Sequence, residues 1–101
     1  NEVYAAGDMG IVKFNIQRKE WELVTAPGVY GNEMVYSMAN NDKFLFIGTI
    51  KGLYRFNKKS GLVRDYQYPF IGQVNDIILE DNIIWLGTIN GLLSFKWKRD
   101  L

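Results

Sequence analysis

The sequence predicts an all-β fold in which one short antiparallel meander is repeated along the chain. Three observations predict it. Residues 44–56 and 83–95 are near-copies, with Gly48, Thr49, Ile50, Gly52, Leu53 and Phe56 matched by Gly87, Thr88, Ile89, Gly91, Leu92 and Phe95 at a constant offset of 39. Short apolar runs recur every 8–12 residues between clusters of Gly, Asn, Asp and Ser, the spacing of strands and tight turns. No stretch keeps the i, i+3, i+4, i+7 apolar face and capping residues of an amphipathic helix. A four-stranded unit of roughly 40 residues, repeated, is the pattern of a β-propeller blade. One such meander is apolar on both faces and must stack on a neighbour to bury them.

The strands follow in order. A worn third copy opens the chain at Val3-Tyr4-Ala5-Ala6-Gly7 and Gly10-Ile11-Val12-Lys13-Phe14, with Gly7 placed 41 residues before Gly48. These segments read as the second and third strands of a blade, and residues 20–25 as its outermost strand. Residues 34–40 start the next unit as its innermost strand. Phe44–Thr49 is a continuous apolar run suited to a strand buried on both faces. Leu53–Asn57 alternates Leu53, Arg55 and Asn57 against Tyr54 and Phe56. Between them, Thr49-Ile50-Lys51-Gly52 reads as a type I turn closed by a left-handed glycine, the reason a glycine recurs at position 91. Lys58-Lys59-Ser60-Gly61 is a polar turn into an outermost strand, Leu62–Tyr68, which Pro69 and Gly72 end. Residues 74–80, 83–88 and 92–96 repeat the innermost, second and third strands. The units are about 1–33 (partial), 34–73 and 74–101 (partial), or about two and a half blades. A propeller needs at least about four blades to close. The chain is therefore expected to be a fragment of a larger propeller, completed by the remaining blades of the same propeller or by another chain.

Composition sets what chemistry is open. The chain has 101 residues, 48% hydrophobic and 15% aromatic, with 12 Lys+Arg against 11 Asp+Glu. A formal net charge of +1 gives no electrostatic footprint for nucleic acid. No apolar run is long enough for direct membrane insertion by a helix. With no Cys and no His, thiolate, imidazole and Ser-His-Asp chemistry are absent. Asp8, Glu33, Asp76, Glu80 and Asp81 fall in turns or at strand ends, where acids serve backbone hydrogen bonds. Asn40-Asn41-Asp42 and Asp81-Asn82 hold matching repeat positions and lack the ligand order of a calcium loop. No catalytic residue, metal or cofactor is expected.

The motif Trp85-Leu86-Gly87-Thr88-Ile89-Asn90-Gly91-Leu92, with its copy Ile47-Gly48-Thr49-Ile50-Lys51-Gly52-Leu53-Tyr54-Arg55-Phe56, resembles the repeat of the two-component regulator propeller family. Val74-x-x-Ile77 and Val35-x-x-Met38 are similar to the innermost-strand part of that repeat. The chain departs from it at Gly72 and Glu33, where the family usually has Asn, and the first copy lacks the Trp and Thr. The resemblance implies a periplasmic or extracellular sensor region of a bacterial signalling protein, non-enzymatic and ligand-binding. A structural or protein-interaction propeller scaffold without signalling output is the alternative.

Aromatic residues divide by position. Trp85, Phe46, Phe14, Phe56 and Phe95 sit inside strands and are expected to pack blade on blade. Trp97 is expected to pack against an outer strand not present in these residues. Ligands of propellers usually meet the face made by the outer-to-inner links and the second-to-third hairpins. Here that face comprises residues 26–33, 68–73 and the tips Lys51 and Asn90. Tyr30, Asn32, Lys51, Tyr68, Phe70, Gln73 and Asn90 are the candidate contact residues. Rings that stack beside amides and a lysine suit a glycan or peptide ligand. Tyr30 and Phe70 also have a plainer reading, as packing of the links.

Overall fold

In the computed structural model, residues 2–66 and 68–101 are described. Among these described residues, ten strands form three antiparallel sheets. There is no α-helix among the described residues, only two single-turn 3-10 segments. The chain divides into two compact units, residues 1–32 and 33–101.

The first unit holds β1 (Tyr4–Gly7), β2 (Gly10–Asn15) and β3 (Glu20–Thr25), paired in the order β1-β2-β3. Val3 extends the ladder, because its carbonyl accepts the Phe14 N–H at 3.0 Å. Phe14 meets Trp21 edge-on across β2 and β3, with centroids 5.2 Å apart. A bulge lies between Ile11 and Val12. Pro27–Tyr30 then makes a 3-10 turn, closed by Gly31 in the left-handed region and by the Asn32 N–H on the Pro27 carbonyl. Its Pro is pre-set for the first position of a turn.

The second unit carries the fuller blades. β4 (Val35–Asn40), β5 (Phe44–Thr49), β6 (Leu53–Asn57) and β7 (Val63–Tyr66) pair in sequence order. β8 (Val74–Glu80), β9 (Ile83–Thr88) and β10 (Gly91–Phe95) form the third sheet. The two sheets repeat each other down to a defect. The β4–β5 register slips between Val35 and Ser37, and the β8–β9 register slips between Val74 and Asp76. Every residue of β5 is buried, and β4 and β6 pair along its two edges.

Between these sheets lies one core of Phe44, Phe46, Leu53, Tyr66, Ile71, Val74, Ile84, Leu86 and Trp97. Gly48 makes it possible. A Cβ there would lie 2.2 Å from Ser37 Oγ and 2.8 Å from Val74 Cγ1, so only glycine lets Val74 seat over β5. Ser37 Oγ donates to the Val74 carbonyl at 2.9 Å, beside the register slip of β8. At the equivalent Gly87, a Cβ would meet Asp76 Cβ at an ordinary 3.4 Å.

Three expectations change. The outermost strand is shorter than Leu62–Tyr68. Leu62 belongs to the preceding turn, its N–H bound to Ser60 Oγ, and Tyr68 to the next one, its carbonyl accepting the Ile71 N–H. Gln67 lies outside the described residues. Trp97 needs no further strand to cover it. It opens a 3-10 turn, Trp97–Asp100, and its indole enters the core edge-on to Phe44 and Phe46, at 5.5 and 5.2 Å. Its Nε1 donates to the Asp81 carbonyl at 3.0 Å, the partner a buried indole requires. Trp85, in contrast, is not core. Ile84 and Leu86 face the second sheet, so alternation turns Trp85 to the other side, where it donates to Glu80.

Gly48→Ala should lower stability by about 1–3 kcal/mol through overpacking, whereas Gly87→Ala should stay within about 0.5 kcal/mol of wild type; urea melts of both variants compare the two close approaches. Trp97→Ala should cost about 3–5 kcal/mol, and an unchanged melt would place this side chain outside the core.

Candidate functional site

The hairpin tips are presented by a repeated device. Thr49 Oγ1 donates to the Gly52 carbonyl at 3.2 Å and accepts the Lys51 N–H at 3.2 Å. Thr88 Oγ1 does the same with the Gly91 carbonyl at 2.9 Å and the Asn90 N–H at 3.0 Å. Each threonine thus braces both sides of its tip and points residue 51 or 90 outward. Gly52 and Gly91 have φ of 149° and 124°. They lie at positive φ, as the turn reading requires, but well past the left-handed helical basin near +57°. That region is kept for glycine.

Each tip meets the link that precedes the innermost strand of its own sheet. Lys51 pairs with Glu33 at 3.2 Å. The Ile89 N–H donates to the Gln73 carbonyl at 3.2 Å, and Asn90 Nδ2 lies 2.9 Å from where a Cβ on Gly72 would be. Positions 33 and 72, like 51 and 90, are 39 apart, so the two contacts are one arrangement made twice. Gly72, at φ 65°, is where the link turns under the tip. Gln73 Nε2 donates to Asn75 Oδ1 at 2.7 Å. Asn90, Gln73 and Gly72 are therefore neighbours, as are Lys51 and Glu33.

The aromatic candidates separate. Tyr30 ends the first unit's 3-10 turn and is only 1% exposed. Burial pushes its phenol above the ordinary value, and its ring offers no face to a ligand. Asn32 is exposed at φ 59°, a conformation asparagine tolerates well, so the backbone accounts for its presence. Tyr68 and Phe70 lie on the surface of the second unit. Their rings stack in parallel, 5.5 Å between centroids and 4° between planes, with Phe70 63% exposed. They flank a groove of about 300 Å³ whose wall also includes Tyr66, Leu93, Phe95, Lys96 and Arg99. Lys51, Gln73 and Asn90 are not part of its lining.

Sequence reasoning missed several residues. Arg55 is buried, its guanidinium 5.0 Å from the Phe44 ring centroid and its Nη1 bonded to Tyr66 Oη at 2.9 Å. Alternation had marked it as one member of a strand face, and nothing in the pattern marked it as enclosed. Lys96 and Arg99, on either side of Trp97, line the groove. Their signal was the basic cluster around Trp97, legible only once Trp97 is seen to fold inward. No group of three or more acidic residues among the described residues is arranged to hold a metal.

No protein-family model matches the chain, nor does any curated protein. Solved structures do match. Two are of the extracellular domain of BT4673 from B. thetaiotaomicron, named as a proposed one-component system in one and a proposed hybrid two-component system in the other. They cover 98% of this chain at 19% identity, with TM-scores of 0.75 and 0.74. A third is the computationally designed Ika4 protein, which covers 95% of the chain at 16% identity with a TM-score of 0.66. The chain spans 13% of the BT4673 domain and 60% of Ika4. At such identities the likeness is one of fold, and it supports the all-β, antiparallel class.

Gly52→Val and Gly91→Val should each destabilise by about 1–3 kcal/mol through forced positive φ. Thermal melts of both that match wild type would show that the tips do not depend on glycine.

Proposed function

We propose that this chain is the ligand-binding, non-enzymatic part of a bacterial extracytoplasmic sensor, one portion of a larger propeller. The observation that carries the reading is the exposed, parallel Tyr68–Phe70 pair on a link between sheets. Large rings left in water on a short, braced segment provide a stacking platform with little ordering cost on binding. The amides of Gln73 and Asn90, on the same link and its tip, supply donors and acceptors of the kind that hydroxyls or a peptide backbone engage. The fold likeness to extracellular domains of a signalling protein supports the placement outside the cytoplasm. Ligand, in this reading a glycan or peptide, biases a pre-existing equilibrium of domain arrangement and so passes occupancy to a signalling chain. The rest of the propeller, from the same polypeptide or another chain, is the partner that completes the ring.

A scaffold without signalling output is the second reading. Ile78 and Leu92, both largely exposed on the third sheet, favour it, because apolar side chains grouped on a sheet face are contact surface.

Isothermal titration with a panel of neutral and acidic oligosaccharides and short peptides tests the sensor reading. At least one class should bind, and Phe70→Ala or Tyr68→Ala should weaken it about tenfold, in line with loss of one stacked ring. Their melts should stay close to wild type. Failure of every class, or binding indifferent to both rings, would remove the ligand reading and leave the scaffold.

A further inference from the structure

We infer that Asn90, in the hairpin tip between β9 and β10, is a self-modification site: the Gly91 backbone nitrogen closes on the Asn90 side-chain amide, and water opens the ring to aspartate or isoaspartate. The inference rests on the tip itself and does not require that the chain bind a ligand.

Asparagine is one of the chemically labile residues, and the sequence narrows which one. Asn90-Gly91 is the single Asn-Gly step in the chain. Ring closure brings the following backbone nitrogen onto the asparagine Cγ, and a side chain on the following residue obstructs that approach. Glycine has none, and its φ is the least restricted. A Cβ built on Gly91 would meet nothing within 4 Å, so the space beside this residue is open.

Hydrogen bonding separates Asn90 further. Asn15, Asn41 and Asn57 each cap backbone N–H groups of the turn that follows them. Asn40 Oδ1 accepts the Lys58 ammonium, and Asn75 Oδ1 accepts the Gln73 amide. Each of these side chains must break a bond before its Cγ can turn toward the backbone. The Asn90 side chain makes no hydrogen bond among the described residues. Asn32 and Asn82 make none either, but Glu33 and Ile83 follow them. Gly72 leaves room for the Asn90 amide to turn, since a Cβ there would lie 2.9 Å from Nδ2.

Exposure of this position is a property of the repeat. Lys51 holds the same place one sheet earlier, and the third sheet shares a core with its own. Its side chain is still 65% exposed. Asn90 and Gly91 are exposed in the same way, so water reaches both the amide and the ring that forms from it.

The chemistry balances with water as the co-reactant. Hydroxide takes the proton from the Gly91 nitrogen, which then bonds to Asn90 Cγ. The tetrahedral carbon expels the side-chain nitrogen, which takes up a proton and leaves as ammonia, and a succinimide remains. Water adds to either ring carbonyl and breaks its bond to the Gly91 nitrogen. Opening at Cγ gives aspartate. Opening at the main-chain carbonyl gives isoaspartate, with the backbone running through Cβ and Cγ. Both products carry a carboxylate where the preceding tip carries the Lys51 ammonium. Isoaspartate also lengthens the turn, and so draws the Asn90 N–H and the Gly91 carbonyl off the Thr88 hydroxyl that braces them.

Peptide mapping by mass spectrometry, on the 101-residue chain aged at neutral to mildly alkaline pH, tests the site. Conversion at Asn90 should outpace that at every other asparagine at least about tenfold, and its rate should rise in proportion to hydroxide. A methyltransferase specific for isoaspartate should label the aged chain and should leave aged Asn90→Gln unlabelled. Thr88→Val removes both bonds of the brace and should speed conversion about fivefold, the factor that one ordinary hydrogen bond is worth. Circular dichroism on each variant checks that the sheets persist. Conversion spread evenly over the asparagines overturns the inference. So does conversion in a blocked peptide of residues 86–94 that is absent from the folded chain, because the fold would then protect the step. Ligand titrations enter none of these readouts, so the sensor reading stands or falls separately.

Discussion

The approach of β8 to β5 over Gly48 is the contact on which the larger unit depends. Two sheets that stack face to face normally stand about 10 Å apart, with side chains filling the gap. At Gly48 no side chain stands in the gap, and the Val74 side chain and Ser37 Oγ occupy the space a Cβ would take. That approach leaves the Val74 carbonyl, beside the register slip, in reach of Ser37 Oγ. The apolar contact and the hydrogen bond come from one choice of residue. A Cβ at position 48 would force Ser37 Oγ and the Val74 side chain to shift. The rest of the core, from Phe44 to Leu86, is arranged outward from this point.

Trp97 closes the same core from the side. Its ring meets those of Phe44 and Phe46 edge-on, the arrangement in which the positive edge of one ring meets the negative face of another. The 3-10 turn that delivers it also carries Arg99 toward the groove, while Lys98 pairs with Asp81 at 2.8 Å. Packing and surface chemistry are therefore coupled across four residues. A tryptophan that looked like a strand end, awaiting an outside partner, is instead the anchor that places a cation.

The loop face and the groove are different kinds of surface. On the loop face, threonine hydroxyls and glycine backbones do the positioning, and the exposed groups are short, braced and mostly amide or charged. In the groove the walls are mostly rings, with Lys96 and Arg99 among them. The first suits polar contacts with a small or flexible ligand. The second suits a partner with apolar groups to bury. Leu92 makes the asymmetry of the third sheet plain: it is 71% exposed, while Leu53 at the same repeat position is 0% exposed.

The repeat was legible in the sequence by itself, and with it the all-β class, the bounds of β5, β6 and β9, and the glycines of the tips. These are local matters: strand alternation, turn chemistry and a fixed offset need only near neighbours to be read. Three things were decided by tertiary structure. Arg55 became buried because the Phe44 and Tyr66 rings close over it from other strands. Tyr30 and Phe70, alike as link aromatics, parted into an enclosed ring and an open one according to what packs around each. Trp97 turned inward because a cleft between two sheets was there to receive it, with the Asp81 carbonyl at its end. Each outcome depends on residues far away in sequence meeting at one place, and a pattern read along one strand holds no record of what lies across from it.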